Sequence, residues 1–91
     1  HCVYIMTNKN HSVFYTGRTS FLEQRIFEHK EKVIEGFTKR YNITKLVYYE
    51  CVKDFDSSLA RERKIKKYPK NWKINLINSK NPTWTDLSEE L

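Results

Sequence analysis

Glycine, proline and cysteine are scarce: two of each stand among 91 residues. So few glycines and prolines exclude a collagen-like or low-complexity chain. Cys2 and Cys51 form no CxxC pair, and His1, His11 and His29 are scattered, so no zinc pattern exists. Both cysteines sit in strand-like apolar runs, which predicts two reduced, half-buried thiols. Neighbouring strands could still bring them together as a disulfide. No apolar run approaches the roughly 20 residues of a membrane span. The N-terminus has no charged n-region and no small-residue cleavage site, so no secretory signal is expected. Repeats and interdomain linkers are also missing, which predicts one domain over residues 1–91.

What is present is an aromatic and basic chain. Aromatics make up 14% and hydrophobic residues 38%, enough for one modest core. Seventeen Lys and Arg against eleven Asp and Glu give +6. Such a balance favours a polyanionic partner, nucleic acid ahead of an anionic membrane surface. No segment pairs a continuous apolar face with a basic one, so a membrane role is not expected. The bland alternative is a merely soluble basic protein.

Hydrophobic patterning orders the elements. Cys2–Met6 and Val13–Gly17 are strand candidates around the polar turn Thr7–Ser12. Ser20-Phe21-Leu22-Glu23 matches a capping box, and a helix is expected from about Phe21 to Lys32. Leu22, Ile26 and Val33 mark its apolar stripe, with Arg25 and His29 on a second stripe beside it. Gly36 is placed as a C-cap glycine. Phe37–Asn42 is basic and aromatic, with no clear period. Lys45–Cys51 is the clearest strand. A second helix is expected from Ser58 to about Tyr68, stopped by Pro69, and a third from Lys70 to Asn78. Asn81-Pro82-Thr83-Trp84 reads as a loop, and the tail is expected to pack through Trp84 and Leu87. The fold class is α+β, in ββαβα(α) order: a small three-stranded antiparallel sheet flanked by helices.

Four groups look unlike mere structure. Leu59, Glu62 and Ile65 fall on one helical side, so Glu62 is expected to be partly buried. A carboxylate there needs a cation, which a buried-edge Arg or a metal ion would equally supply. Arg25 and His29 share a helical face suited to phosphate, although both could be solvated. Tyr4 and Tyr15 fall in paired strands, where a phenol is more often a core side chain. From Arg61 to Lys73, seven basic residues stand against the single acid Glu62, interleaved with Tyr68 and Trp72. A charge run is usually a solvated face, but interleaved aromatics add stacking surface for bases. The cations expected to meet a phosphate backbone are Arg18, Lys39, Arg40, Arg63, Lys66, Lys67 and Lys70.

Cys2-Val3-Tyr4, then Tyr15-Thr16-Gly17, then Arg25 with His29, then Ala60-Arg61-Glu62 and the late Asn-Pro-x-Trp together carry a likeness. The chain resembles the GIY-YIG nuclease superfamily, in particular its small single-domain bacterial members, from about Cys2 to Leu87. Cys2 stands in place of the motif's first glycine, and Thr16 in place of its central isoleucine. Asn75 is the nearest counterpart of the family's late Asn, offset by about a residue. The resemblance implies metal-assisted hydrolysis of a phosphodiester; DNA is expected ahead of RNA, and reduced thiols predict the cytoplasm. It implies that Glu62 holds Mg²⁺ or Mn²⁺ and that Arg25 neutralises charge on the scissile phosphate. Tyr4 would act as general base for the attacking water or position it, its phenol acidified by a metal or cationic neighbour. Tyr15 and His29 would orient water and phosphate, and the sequence leaves all three open as the group that takes the proton. No attached module reads sequence, so little intrinsic sequence specificity is expected. The alternatives are a non-catalytic nucleic-acid-binding module on the same fold, or a protein-interaction domain with an acidic partner.

Overall fold

The computed structural model describes residues 1–91. Two strands, β1 (Cys2–Thr7) and β2 (Phe14–Thr19), form an antiparallel hairpin, and β3 (Lys45–Cys51) pairs antiparallel with β1 on its other side. The sheet order is therefore β2-β1-β3. The hairpin turn is organised by Asn8, whose Oδ1 accepts from the backbone N–H of Ser12 and of Val13 at 2.9 and 3.1 Å. One asparagine thus satisfies two otherwise unpaired donors.

Alternation along β1 divides the core between the two faces. Val3 and Ile5 pack with Ile65 and Ile77, from helices α3 (Phe55–Lys66) and α4 (Lys70–Lys80). Tyr4 and Met6 face the other way, with Ile26 of α1 (Leu22–Lys30), Ile43 and Leu46. A register shift between Ile5 and Met6 inserts Val47 into the β1–β3 ladder, so Val47 and Tyr48 both reach the first cluster. Between α1 and β3 lies a one-turn helix, α2 (Phe37–Arg40), in the stretch where the sequence shows no period. A terminal 3-10 helix, Leu87–Glu90, packs Leu87 onto the second cluster. No helix is long and apolar enough to cross a membrane.

Several expectations are corrected. Cys2 and Cys51 are not free thiols: they oppose each other in the β1–β3 register and are joined in a disulfide. Ser20 does not cap α1, because its hydroxyl hydrogen-bonds His1 Nδ1 at 3.0 Å, and Phe21 takes the capping position. Val33 lies past the end of α1 and is exposed. Gly36 precedes α2 with φ +112° instead of closing α1. Helix α3 starts three residues earlier than expected, because the Asp54 side chain accepts from the Ser57 N–H at 2.8 Å. Asn81 is buried and fully engaged: its Nδ2 donates to the carbonyls of Val47 and Thr85, and its Oδ1 accepts from the Thr85 backbone. That knot holds the Asn-Pro-x-Trp loop, from which Trp84 packs on His11 and Phe14.

Candidate functional site

Tyr4 lies mid-way along the central strand, 1% exposed. Its cross-strand partner on β2 is Gly17. With no side chain there, the phenol lies over the Gly17 backbone. A Cβ on Gly17 would collide with the Tyr4 hydroxyl and come within 2.9 Å of the Tyr15 ring. Period-two alternation puts Tyr15 on the same face as Gly17, and the Tyr4 and Tyr15 centroids are 6.2 Å apart.

Across this face, α1 supplies Arg25 and His29 at i and i+4. His29 is buried, with Nε2 hydrogen-bonded to the Tyr4 hydroxyl at 2.9 Å and Nδ1 to Thr38 Oγ1 of α2 at 3.0 Å. Both ring nitrogens are therefore committed, and the imidazole orientation is fixed from two sides. The Tyr15 ring meets His29 edge-on at 5.5 Å. Arg25 is 43% exposed, one turn earlier, with a long 3.4 Å pairing to Glu28. It lines a small recess of about 260 Å³ with Thr19, Phe21, Gln24 and Glu28.

Glu62 approaches from α3. Its side chain is 15% exposed, and its cation is Lys66 one turn on, at 3.1 Å. No Arg pairs with Glu62; its neighbour Arg61 donates to both carboxylate oxygens of Glu50. The charges of Arg25 and Glu62 both reach Tyr4, with opposite sign. Burial nevertheless dominates, and it pushes the Tyr4 phenol well above the ordinary tyrosine range, with Tyr15 adding to the rise. Burial, assisted by Arg25, holds His29 below the ordinary imidazole range, so at neutral pH the ring is uncharged.

Tyr4, Tyr15, Arg25 and His29 thus gather on one face of the sheet, while Glu62 comes from α3, whose Ile65 packs on the other face, and its charge is near enough to reach Tyr4. Asn75 does not join them: it is exposed on α4, which packs against β3 at the opposite edge from β2. Among the basic residues, Lys39 and Arg40 lie on α2 beside this face, and Lys66 pairs with Glu62. Arg63 and Lys67 are exposed and unpaired; Arg18 sits over the Phe55 ring and Lys70 near the Phe14 ring. Thr38 was not legible as a site residue, since its role depends on α2 folding back onto α1. Gly17 was legible only as part of a motif; its reason is the close approach of Tyr4. The recess between Phe21, Phe27 and Leu91, edged by Glu23, Gln24, Lys30 and Ser88, contains none of these groups.

No three His, Cys, Asp or Glu side chains gather into a metal-binding group. The donor set is one carboxylate, Glu62, beside phenols. That set fits a hard cation such as Mg²⁺, which takes one or two carboxylates and fills its remaining positions with water and phosphate oxygens. Lys66, 52% exposed, can leave the carboxylate without being stranded.

The site therefore offers two facing tyrosines, an Arg–His pair from α1 and the lone carboxylate of Glu62 from α3. Residues 1–75 match the GIY-YIG catalytic domain, and the chain belongs to that nuclease superfamily. It is 40% identical over 78 residues to a UPF0213 protein of Clostridium perfringens, covering 86% of this chain and 83% of the relative. A UPF0213 protein of Syntrophus aciditrophicus is 37% identical over 76 residues, covering 82% and 86%. One from Haloquadratum walsbyi is 34% identical over 76 residues, covering 84% of each. No solved structure matches.

Proposed function

We propose that residues 1–91 act as one metal-dependent endonuclease domain that hydrolyses phosphodiester bonds, in DNA ahead of RNA, with little sequence preference. The observation that carries this reading is the hydrogen-bonded chain Thr38–His29–Tyr4, flanked by Arg25 and Glu62. With its phenol held protonated, Tyr4 is a poor phenolate base, but it can relay a proton. In one tautomer His29 Nδ1–H donates to Thr38 Oγ1, and the Tyr4 O–H donates to the free Nε2. The Tyr4 oxygen can then take a proton from water as its own proton passes to the neutral imidazole. Arg25, half open to solvent, can pair with a phosphate oxygen and stabilise the charge that develops there. Tyr15 closes the side of the cleft and orients its contents. Glu62 would hold the Mg²⁺ or Mn²⁺, whose contribution when bound is to polarise the phosphate and its attacking water. The setting proposed is the cytoplasm. There the Cys2–Cys51 bond, with Cys51 open to solvent, is accessible to cellular thiols.

One observation favours the alternative, a nucleic-acid-binding module without catalysis: the Glu62–Lys66 pair already accounts for a half-buried acid. Glu62→Ala separates the two. Its removal frees a half-exposed Lys66 to water, so stability should change by no more than about 1 kcal/mol. On the nuclease reading, Mn²⁺-dependent oligonucleotide cleavage falls by at least about 10²-fold, while binding in EDTA is kept or slightly strengthened. A Glu62→Ala protein that cleaves as well as the parent, or a parent that never cleaves, sinks the nuclease reading.

A further inference from the structure

Helix α2 has only four residues, too few to hold itself together. It is pinned from inside by Thr38, 4% exposed, which hydrogen-bonds His29 and whose carbonyl accepts from the N–H of buried Ile43 at 2.9 Å. What it presents outward is two aromatic rings. Phe37 is 47% exposed and Tyr41 is 41% exposed, with centroids 4.8 Å apart. Phe37 in turn lies in stacked orientation against Tyr15, at 6.3 Å and 29°. The Arg40 guanidinium sits 5.5 Å from the Tyr41 centroid and has no acidic partner. With Lys39 and Glu35, which pair with each other at 2.8 Å and leave Arg40 as the free charge, these residues line an open recess of about 710 Å³. Two large rings held in water beside a cation, in line with the site, call for an occupant with a flat π-face and a negative charge.

We infer that α2 carries a base-stacking subsite, in which Phe37 and Tyr41 receive an unpaired nucleobase of the strand that enters the Tyr4–Arg25 cleft, and Arg40 meets its phosphate. This rests on the nuclease reading and extends it to a substrate class. A duplex keeps its base faces stacked on one another, whereas a single strand or an unpaired end offers them. Every base has a π-face, so the subsite favours unpaired strands without reading sequence.

The test is binding in EDTA, where no cleavage is required, to a fluorescein-labelled 12-nucleotide single strand (about one site length) and to its duplex. Tyr41→Ala should weaken single-strand binding roughly 5- to 150-fold, the worth of one stacked base, and duplex binding less than about twofold. Tyr41→Phe should bind like the parent, since the ring and not the hydroxyl stacks. Single strands with an abasic site at successive positions should include one whose loss is not additive with Tyr41→Ala. Parent-like single-strand binding by folded Tyr41→Ala and Phe37→Ala proteins would assign the rings to a protein partner and overturn the inference. Equal losses on both substrates would make α2 a charge platform and overturn it too. If the parent cleaves with Mn²⁺ but the ring variants change nothing, only this inference fails. If the parent binds no oligonucleotide at all, the nuclease reading falls with it.

Discussion

Gly17 and Thr16 are neighbours on β2 that face opposite sides of the sheet, and they make opposite demands. Under Tyr4 there is room for a hydrogen and nothing more. Gly17→Ala must push the phenol off its hydrogen bond to His29, which costs about 1–3 kcal/mol by overpacking and removes the proposed proton path. Thr16 is 4% exposed, and its Oγ1 has no hydrogen-bond partner. Thr16→Val exchanges that hydroxyl for a methyl of the same shape and should stabilise by about 1 kcal/mol. Thermal unfolding of both variants checks the pair: a Gly17→Ala protein as stable as the parent would contradict the close approach. A destabilised Thr16→Val would show that the hydroxyl has found a partner. At this scale the sequence was informative about Glu62 but not about its companion. Helical spacing placed it beside Leu59 and Ile65, hence its low exposure. Its cation is Lys66 one turn along, while Arg61 points away to Glu50 of β3.

Among the elements, β3 was legible to the residue, since Lys45–Cys51 is both apolar and rich in strand formers. The start of α1 was not, because its apparent cap, Ser20, is claimed by His1, a residue nineteen positions earlier. Likewise α2 has no periodic signature: its stability comes from Thr38 and Ile43, not from its own pattern. The disulfide was hidden for a related reason. It depends on β1 being the central strand and on the β1–β3 register, and neither follows from hydrophobic runs taken singly. Its consequence can be measured. Cross-linking residues 49 apart removes loop entropy from the unfolded chain, worth up to about 4 kcal/mol on the chain-entropy account. Reduction, or Cys2→Ser with Cys51→Ser, should therefore lower Tm by roughly 8 °C or more. Cleavage at temperatures well below that midpoint should be unaffected, since neither sulfur lies among the Tyr4, His29 and Arg25 contacts. Equal Tm in oxidised and reduced protein would mean that the β1–β3 ladder alone sets the closure.

Taken whole, the molecule carries +6, and five of its acids are already spent in ion pairs with its own cations. Among the cations outside those pairs, three stand on or next to the helices that carry the candidate site. Arg40 stands on α2, beside the tyrosine face, Arg63 stands on α3, the helix that brings Glu62, and Lys67 caps the C-terminal end of α3. A strand crossing from α2 to α3 would meet phosphate-binding charge before and after the cleft. Each neutralised phosphate releases condensed counterions. With about four to six contacts on a single strand, log affinity should fall against log salt with a slope near −3 to −4, roughly 10²-fold between 50 and 200 mM. Arg40→Gln and Lys67→Gln should each make that slope shallower by about 0.7, the increment for one lost contact on a single strand. Lys80→Gln is the control. Lys80 closes α4 above the Tyr48 ring of β3, the edge strand opposite β2, and its loss should leave the slope unchanged. Fluorescence anisotropy titrations at four salt concentrations suffice. A flat dependence for the parent would remove the phosphate-tracking face. A slope reduced equally by all three substitutions would mean that net charge, and not a path across the cleft, draws the nucleic acid in.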